Sequence, residues 1–270
     1  MKNLFSVQDK VIVITGAAGV LGTSMVHHFA EQGAKVVILD RNEEAGRRLE
    51  EEVKAEGGDV MFLYTDVLDK QVLEGNYTEI MARYGRIDVL INGAGGNMAG
   101  ATIAPDKTIF DLDIEAVRKV VDLNLFGIIL PTMTFTRAMI EQKQGSIINI
   151  SSESAIRPLT RVAGYGVAKA AVTNFTKYMC GELATKYGDG LRVNAIAPGF
   201  FITEQNRTLL LNPDGSYTER SKTILAHTPY GRFGEPSELL GTLQWLASDA
   251  SKFVSGTMTV IDGGFDAFSI

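Results

Sequence analysis

The 270 residues are 45% hydrophobic and 21% charged, with a formal net charge of -6 and a single cysteine. Such a chain can bury a sizeable core, as one large α/β domain or two small ones. Its acidic balance excludes nucleic acid as the main partner and disfavours an anionic membrane surface, because both need a basic face. Cys180 cannot close an internal disulfide, so a reducing cytoplasm is the expected compartment. Residues 1–10 lack the apolar centre of a signal peptide, no apolar run suggests a bilayer span, and no membrane partner is expected.

The first apolar run, 11–15, reads as a buried strand and leads into TGAAGVLG, with Gly16, Gly19 and Gly22 at even spacing. Glycines between a strand and a helix let backbone approach a pyrophosphate, which the helix N-terminus at Val20 and Leu21 would attract. A helix over 20–32 follows, then a strand over 35–39 ending at Asp40, 18 residues beyond Gly22. That offset suits a carboxylate that accepts hydrogen bonds from an adenosine ribose and repels a 2′-phosphate. NAD is therefore expected, with Arg41 alongside leaving NADP open. After a helix over 42–56, the strand 60–65 runs into Asp66 and Val67, placed to meet an adenine ring. A helix over 70–84 and a strand over 87–91 lead to Asn92, Gly93, Ala94 and Gly95, small residues where a cofactor would cross the sheet edge.

A loop over 96–113 precedes a helix over 114–142, inside which Asn124 is a polar residue in an apolar stretch. The strand 146–151 ends in Ser151 and Ser152, whose hydroxyls are placed to bond a reacting oxygen. In the helix over 164–187, Tyr165 and Lys169 stand four apart and so share one face. An ammonium beside a phenol favours the phenolate, and carbonyl–alcohol hydride transfer needs such a proton donor and acceptor. A strand over 192–197, a loop over 199–235, a helix over 236–248 and a strand over 258–261 complete the chain. The alternation predicts a single doubly wound Rossmann-type α/β domain spanning 1–270. Its seven-stranded parallel sheet is flanked by helices, with substrate loops at 96–113 and 199–235. His27 and His28 are helix neighbours that point apart and His227 is distant in sequence, so no metal site is expected.

TGAAGVLG, INGAG, the Asn124 helix, SS followed by YGVAK, and RVNAIAPGFFIT together resemble the short-chain dehydrogenase/reductase family over nearly the whole chain. The resemblance implies a catalytic set of Asn124, Ser152, Tyr165 and Lys169. Tyr165 would be the acid/base and Ser152 would position the substrate oxygen. Lys169 would lower the tyrosine pKa and bind the nicotinamide ribose, and Asn124 would hold a water in a proton relay. It also implies Pro198, Gly199 and Thr203 along the nicotinamide, with Thr203 at its carboxamide. One departure is Val20, where the family's loop has its middle glycine. Gly19 is expected to relieve the turn instead, with Val20 as an apolar shoulder.

The shifted glycine and the loop beginning APGFFITEQNRTLLL narrow the resemblance to that family's D-mannonate oxidoreductases, or fructuronate reductases. A sugar acid needs a cation and amides in its pocket. Arg161 or Arg207 is the expected carboxylate clamp, Arg157 is a further candidate, and Asn97, Gln205 and Asn206 would read hydroxyls. The alternatives are a gluconate 5-dehydrogenase or 3-oxoacyl reductase of the same fold, or a dinucleotide-binding regulator without catalysis. The family packs helices between subunits, so a homotetramer is expected, with a dimer as the alternative.

Overall fold

The computed structural model describes residues 3–203 and 206–268. Seven strands, β1 (Val11–Thr15), β2 (Lys35–Asp40), β3 (Asp59–Tyr64), β4 (Val89–Asn92), β5 (Gly145–Ile150), β6 (Leu191–Pro198) and β7 (Met258–Ile261), form one parallel sheet. Their order is β3-β2-β1-β4-β5-β6-β7. The order reverses between β1 and β4, and in such sheets ligands bind in the crevice outside the carboxyl ends at that switch point.

Helices cover both faces: α1 (Val20–Glu31), α2 (Glu43–Ala55), α3 (Lys70–Tyr84), α4 (Ile114–Val121), α5 (Gly127–Gln142) and α6 (Ala163–Tyr187). Beyond β6 come the one-turn α7 (Arg207–Leu210), then α8 (Glu219–His227) and α9 (Leu240–Ala247). Successive strand side chains point to opposite faces, so Ile12, Ile14, Val36 and Ile38 pack with Phe29 of α1, Val53 of α2 and Leu243 of α9. Val11, Val13, Val37 and Leu39 pack on the other side with Leu73 of α3, Phe135 of α5 and Leu183 of α6. Phe29 and Phe135 are both 0% exposed, and burying each contributes about 2–3 kcal/mol.

The expected helix over 114–142 is interrupted. Asp122–Phe126 is a π-helical turn joining α4 to α5. There the Asn124 amide donates to the Val120 carbonyl at 2.8 Å, inserting a side chain into the backbone ladder. The run Ile114–Gln142 also has the length and mean hydropathy (1.3) of a bilayer span. However, 56% of its most apolar window is buried, and α5 packs against β4, β5 and α3 as a core helix of this domain.

Candidate active site

β1 passes into α1 through a turn that Gly16 makes at φ +67°, the left-handed region that favours glycine. A Cβ on Gly16 would lie 2.8 Å from the Ala94 Cα, so the same residue lets the strand-β4 loop approach. Thr15 fixes that approach, its hydroxyl accepting from the Gly93 and Ala94 N–H groups at 3.1 Å each. Gly22 is needed for packing, since a Cβ there would stand 2.4 Å from the Gly16 carbonyl oxygen. Gly19 differs from the expectation that it relieves the turn. Its φ is -78°, open to any residue, and a Cβ would meet only the Gly16 oxygen at 3.4 Å. Val20 opens α1 half-buried, and Leu21 faces the cavity described below.

Side chains of Asn42, Asp69, Asp113 and Thr218 cap α2, α3, α4 and α8, but none caps α1, whose first turn also lacks an acid. Its orphan N–H groups and positive dipole end fit a pyrophosphate. Asp40 ends β2 beside this loop, one oxygen accepting from the Ala18 N–H and the other from the Asn42 N–H, each at 2.9 Å. Each carboxylate oxygen retains a lone pair for a ribose hydroxyl. Asp66 is exposed and folds its side chain onto the Leu68 N–H, while Val67 is buried beside it. Asn92, expected among the cofactor residues, turns its side chain inward. Its side chain is 0% exposed and donates to Thr132 and Asn149 beneath the sheet edge, while Gly93 and Gly95 after it border the crevice.

A cavity of about 500 Å³, in the size range of small-molecule sites, opens along the carboxyl ends of β4, β5 and β6. Ser152, Tyr165 and Lys169 line it together, with Gly95, Pro198, Gly199 and Thr203. Tyr165 is in the first turn of α6 and its phenol is hydrogen-bonded to Ser152, whose hydroxyl also accepts from the Ser154 N–H. Lys169, a turn on and 3% exposed, donates to the Ile150 carbonyl at 2.8 Å. Its Nζ lies 5.6 Å from the Tyr165 ring centre. Burial brings the Lys169 ammonium down to about 7. Burial also pushes the Tyr165 phenol up, with the Ser152 bond opposing, so the protein alone does not produce the expected downward shift. Desolvation penalises both charged forms more than a half-neutralised ammonium can offset.

Asn124, expected in a proton relay, also ties the loop after β4. Its amide donates to the Gly96 carbonyl at 2.6 Å and its oxygen accepts from the Gly96 N–H at 3.0 Å. It pins the loop after β4 and lies behind the cavity wall, while a Cβ on Gly95 would fall 2.7 Å from its oxygen and 3.2 Å from the Lys169 Nζ.

The expected substrate residues separate. Arg157 is turned away and ion-paired with Asp266 at 2.7 Å, and Arg207 is exposed on α7 outside the cavity wall. Asn206 borders the cavity, but its amide donates to the Phe201 carbonyl and its oxygen accepts from the Thr203 N–H, so it holds its own loop. Gln205 lies outside the described residues. Asn97 faces the cavity with its amide on Thr102 and its buried oxygen without a partner. Arg161 remains in the wall, and Arg220 of α8, which nothing in the sequence pattern singled out, joins it.

Glu153 was likewise illegible in SSES, where it reads as a polar loop residue. It is 1% exposed, both carboxyl oxygens lack partners, and burial with Asp262 and Asp266 nearby raises its carboxyl to about 8, Arg157 opposing. Folded, it keeps its proton to about 8, whereas the unfolded protein releases it near 4.5, so stability falls as pH rises through that window. Glu153→Gln, which cannot ionise, is expected to gain Tm over the wild type across the same window, by roughly 10 °C at its upper end. A gain independent of pH in thermal melts would show that the carboxyl ionises normally.

Residues 10–213 match the family model for short chain dehydrogenases. The chain belongs to that family and is an NAD(P)-dependent oxidoreductase acting on alcohol or carbonyl groups. It is 43% identical to an uncharacterised oxidoreductase, UxuB, of Bacillus subtilis, with 96% of each chain covered. Its fold matches a provisionally named D-mannonate oxidoreductase from Haemophilus influenzae with bound NAD, at TM-score 0.91 and 39% identity over 99% of each chain. A gluconate 5-dehydrogenase from Burkholderia cenocepacia, in complex with NADP and tartrate, matches at TM-score 0.88 and 33% identity over 98% of each chain.

Proposed function

We propose that this protein interconverts D-fructuronate and D-mannonate, with NAD(H) preferred. The observation that carries the reading is Arg161, a guanidinium in the wall that holds Ser152 and Tyr165, with no ion pair among the described residues. An acyl-chain pocket has no use for that cation, whereas a sugar acid needs one. The likeness to the Haemophilus protein supports the particular acid, and the tartrate in the Burkholderia enzyme supports a hydroxy acid more broadly.

A bound nicotinamide supplies or accepts the hydride at its ring. The protein's own groups do the rest. Ser152 donates to the substrate oxygen and holds it against the Tyr165 phenol, which gives its proton as alkoxide character develops and takes it back in oxidation. Lys169, through its nearby charge, stabilises the phenolate left behind. Asp40 opposes a 2′-phosphate and so favours NAD over NADP.

The test follows loss of reduced nicotinamide with D-fructuronate or 5-keto-D-gluconate, each with NADH and NADPH. Turnover of D-fructuronate with NADH, faster than any other combination, is the expected result. Faster turnover of 5-keto-D-gluconate would replace the reading with a gluconate 5-dehydrogenase, and faster use of NADPH would remove the assignment to Asp40.

A further inference from the structure

Arginine in this protein is usually neutralised by a carboxylate. Arg47, Arg83, Arg86, Arg118, Arg137, Arg157 and Arg232 each have an ion pair within 3 Å. Arg41 and Arg207 are exposed to solvent, and buried Arg192 is bonded to Ser251 and to the Leu246 and Ser248 carbonyls. Arg161 and Arg220 fit neither pattern. Both are half-buried, both line the cavity, and neither has an ion pair among the described residues.

Their tethers are all neutral. The Arg161 Nε donates to the Ile103 carbonyl at 2.7 Å, and the Arg161 carbonyl accepts from the Ile103 N–H at 2.9 Å. This two-way lock holds Arg161 at φ +76°, a conformation strained for a non-glycine residue. Arg220, from α8, donates to the hydroxyl and carbonyl of Thr160, the residue next to Arg161. The two guanidiniums are thus brought to one end of the cavity from separate segments. Burial and the Arg161 charge both disfavour the Arg220 cation. The other charged groups in the wall do not relieve this. Lys169 is bonded to Ile150, and Glu153 faces Asp262, Asp266 and Arg157. In a protein of net charge -6, two cations at one site without an ion pair among the described residues make a place for an anion from outside.

We infer that Arg161 and Arg220 form a two-guanidinium clamp for the substrate carboxylate, with Arg220 the specificity-determining residue that selects an acid over the corresponding polyol. This deepens the proposed function and rests on its reading of the substrate as a hydroxy acid. Arg161 keeps terminal N–H groups free of its Ile103 bond, and a guanidinium fork matches a carboxylate edge. A bound carboxylate would bridge α8 to the loop before α6, joining the two segments through the charge that each now lacks.

The test is calorimetric binding of D-mannonate and of D-mannitol, which replaces the carboxylate by a hydroxymethyl group, to NADH-saturated protein. That complex cannot turn over, so binding is read apart from chemistry. Wild type is expected to prefer D-mannonate. Arg220→Gln, which retains a donor for Thr160, should weaken D-mannonate by at least about tenfold and leave D-mannitol within about twofold. Arg220→Lys should fall between, and Arg157→Gln should match the wild type. Equal D-mannonate affinity in Arg220→Gln and wild type overturns the clamp, as does a wild type that binds neither D-mannonate nor tartrate. Wild type that binds D-mannonate through Arg220 yet does not reduce D-fructuronate leaves the clamp standing and removes only that reaction.

Discussion

Tyr165→Phe is expected to lower kcat by about 10³-fold, with NADH affinity within about twofold of the wild type. The substitution removes one hydroxyl from a ring held by α6 and leaves its packing against the buried cluster of Ala101, Ala116 and Val120 in place. That hydroxyl is the group beside Ser152 in the cavity wall. The pH dependence has a definite sign. Reduction uses the protonated phenol, which burial favours, so its rate should fall only as pH rises toward the phenol's raised pKa. Oxidation uses the phenolate, so it should climb with pH over the same range. A variant that retains more than about a tenth of the wild-type kcat in a steady-state assay would remove Tyr165 from proton transfer.

The glycine loop carries the second large effect, and two of its glycines should respond in opposite ways. Gly22→Ala places a methyl 2.4 Å from the Gly16 carbonyl oxygen and 2.7 Å from the Ala17 Cα. Both obstacles are backbone, so the variant should lose about 3 kcal/mol of stability, or roughly 6 °C or more in Tm, and bind cofactor poorly because the loop is displaced. Gly19→Ala meets only one atom at 3.4 Å, at an ordinary φ. It should melt with the wild type yet bind NADH about tenfold more weakly, because its methyl projects over the uncapped N-terminus of α1. Melting and nucleotide titration distinguish the cases. Unchanged NADH binding by Gly19→Ala would mean that the pyrophosphate does not cross that residue.

Legibility varied with how local the cause was. Strands β1 to β6 were readable because a strand largely buried on both faces is a continuous apolar run, and run length follows from local composition alone, whereas β7 is half-exposed. Tyr165 and Lys169 were readable because helical periodicity fixes their shared face. Asn124 was conspicuous as an amide in an apolar stretch, but its partner is Gly96, 28 residues earlier, and that contact made it a pin for the loop. The substrate arginines show the limit most clearly. Arg157, Arg161 and Arg207 are equivalent in sequence, yet Asp266 captures the first, the cavity receives the second and solvent takes the third.

By itself, then, the sequence determined the alternation of strands and helices outside the 199–235 segment, where α7 and α8 stood unread, and it determined the glycine turn and the tyrosine–lysine pair, since backbone sterics and hydrophobic periodicity act over a few residues. Tertiary structure decided which charges stay unpaired and which polar atoms are left buried. Arg220 meets Thr160 across 60 residues of sequence, and Glu153 is stranded beside a C-terminal segment more than 100 residues away. Coulombic pairing and desolvation depend on distance in space, and folding alone brings those groups together.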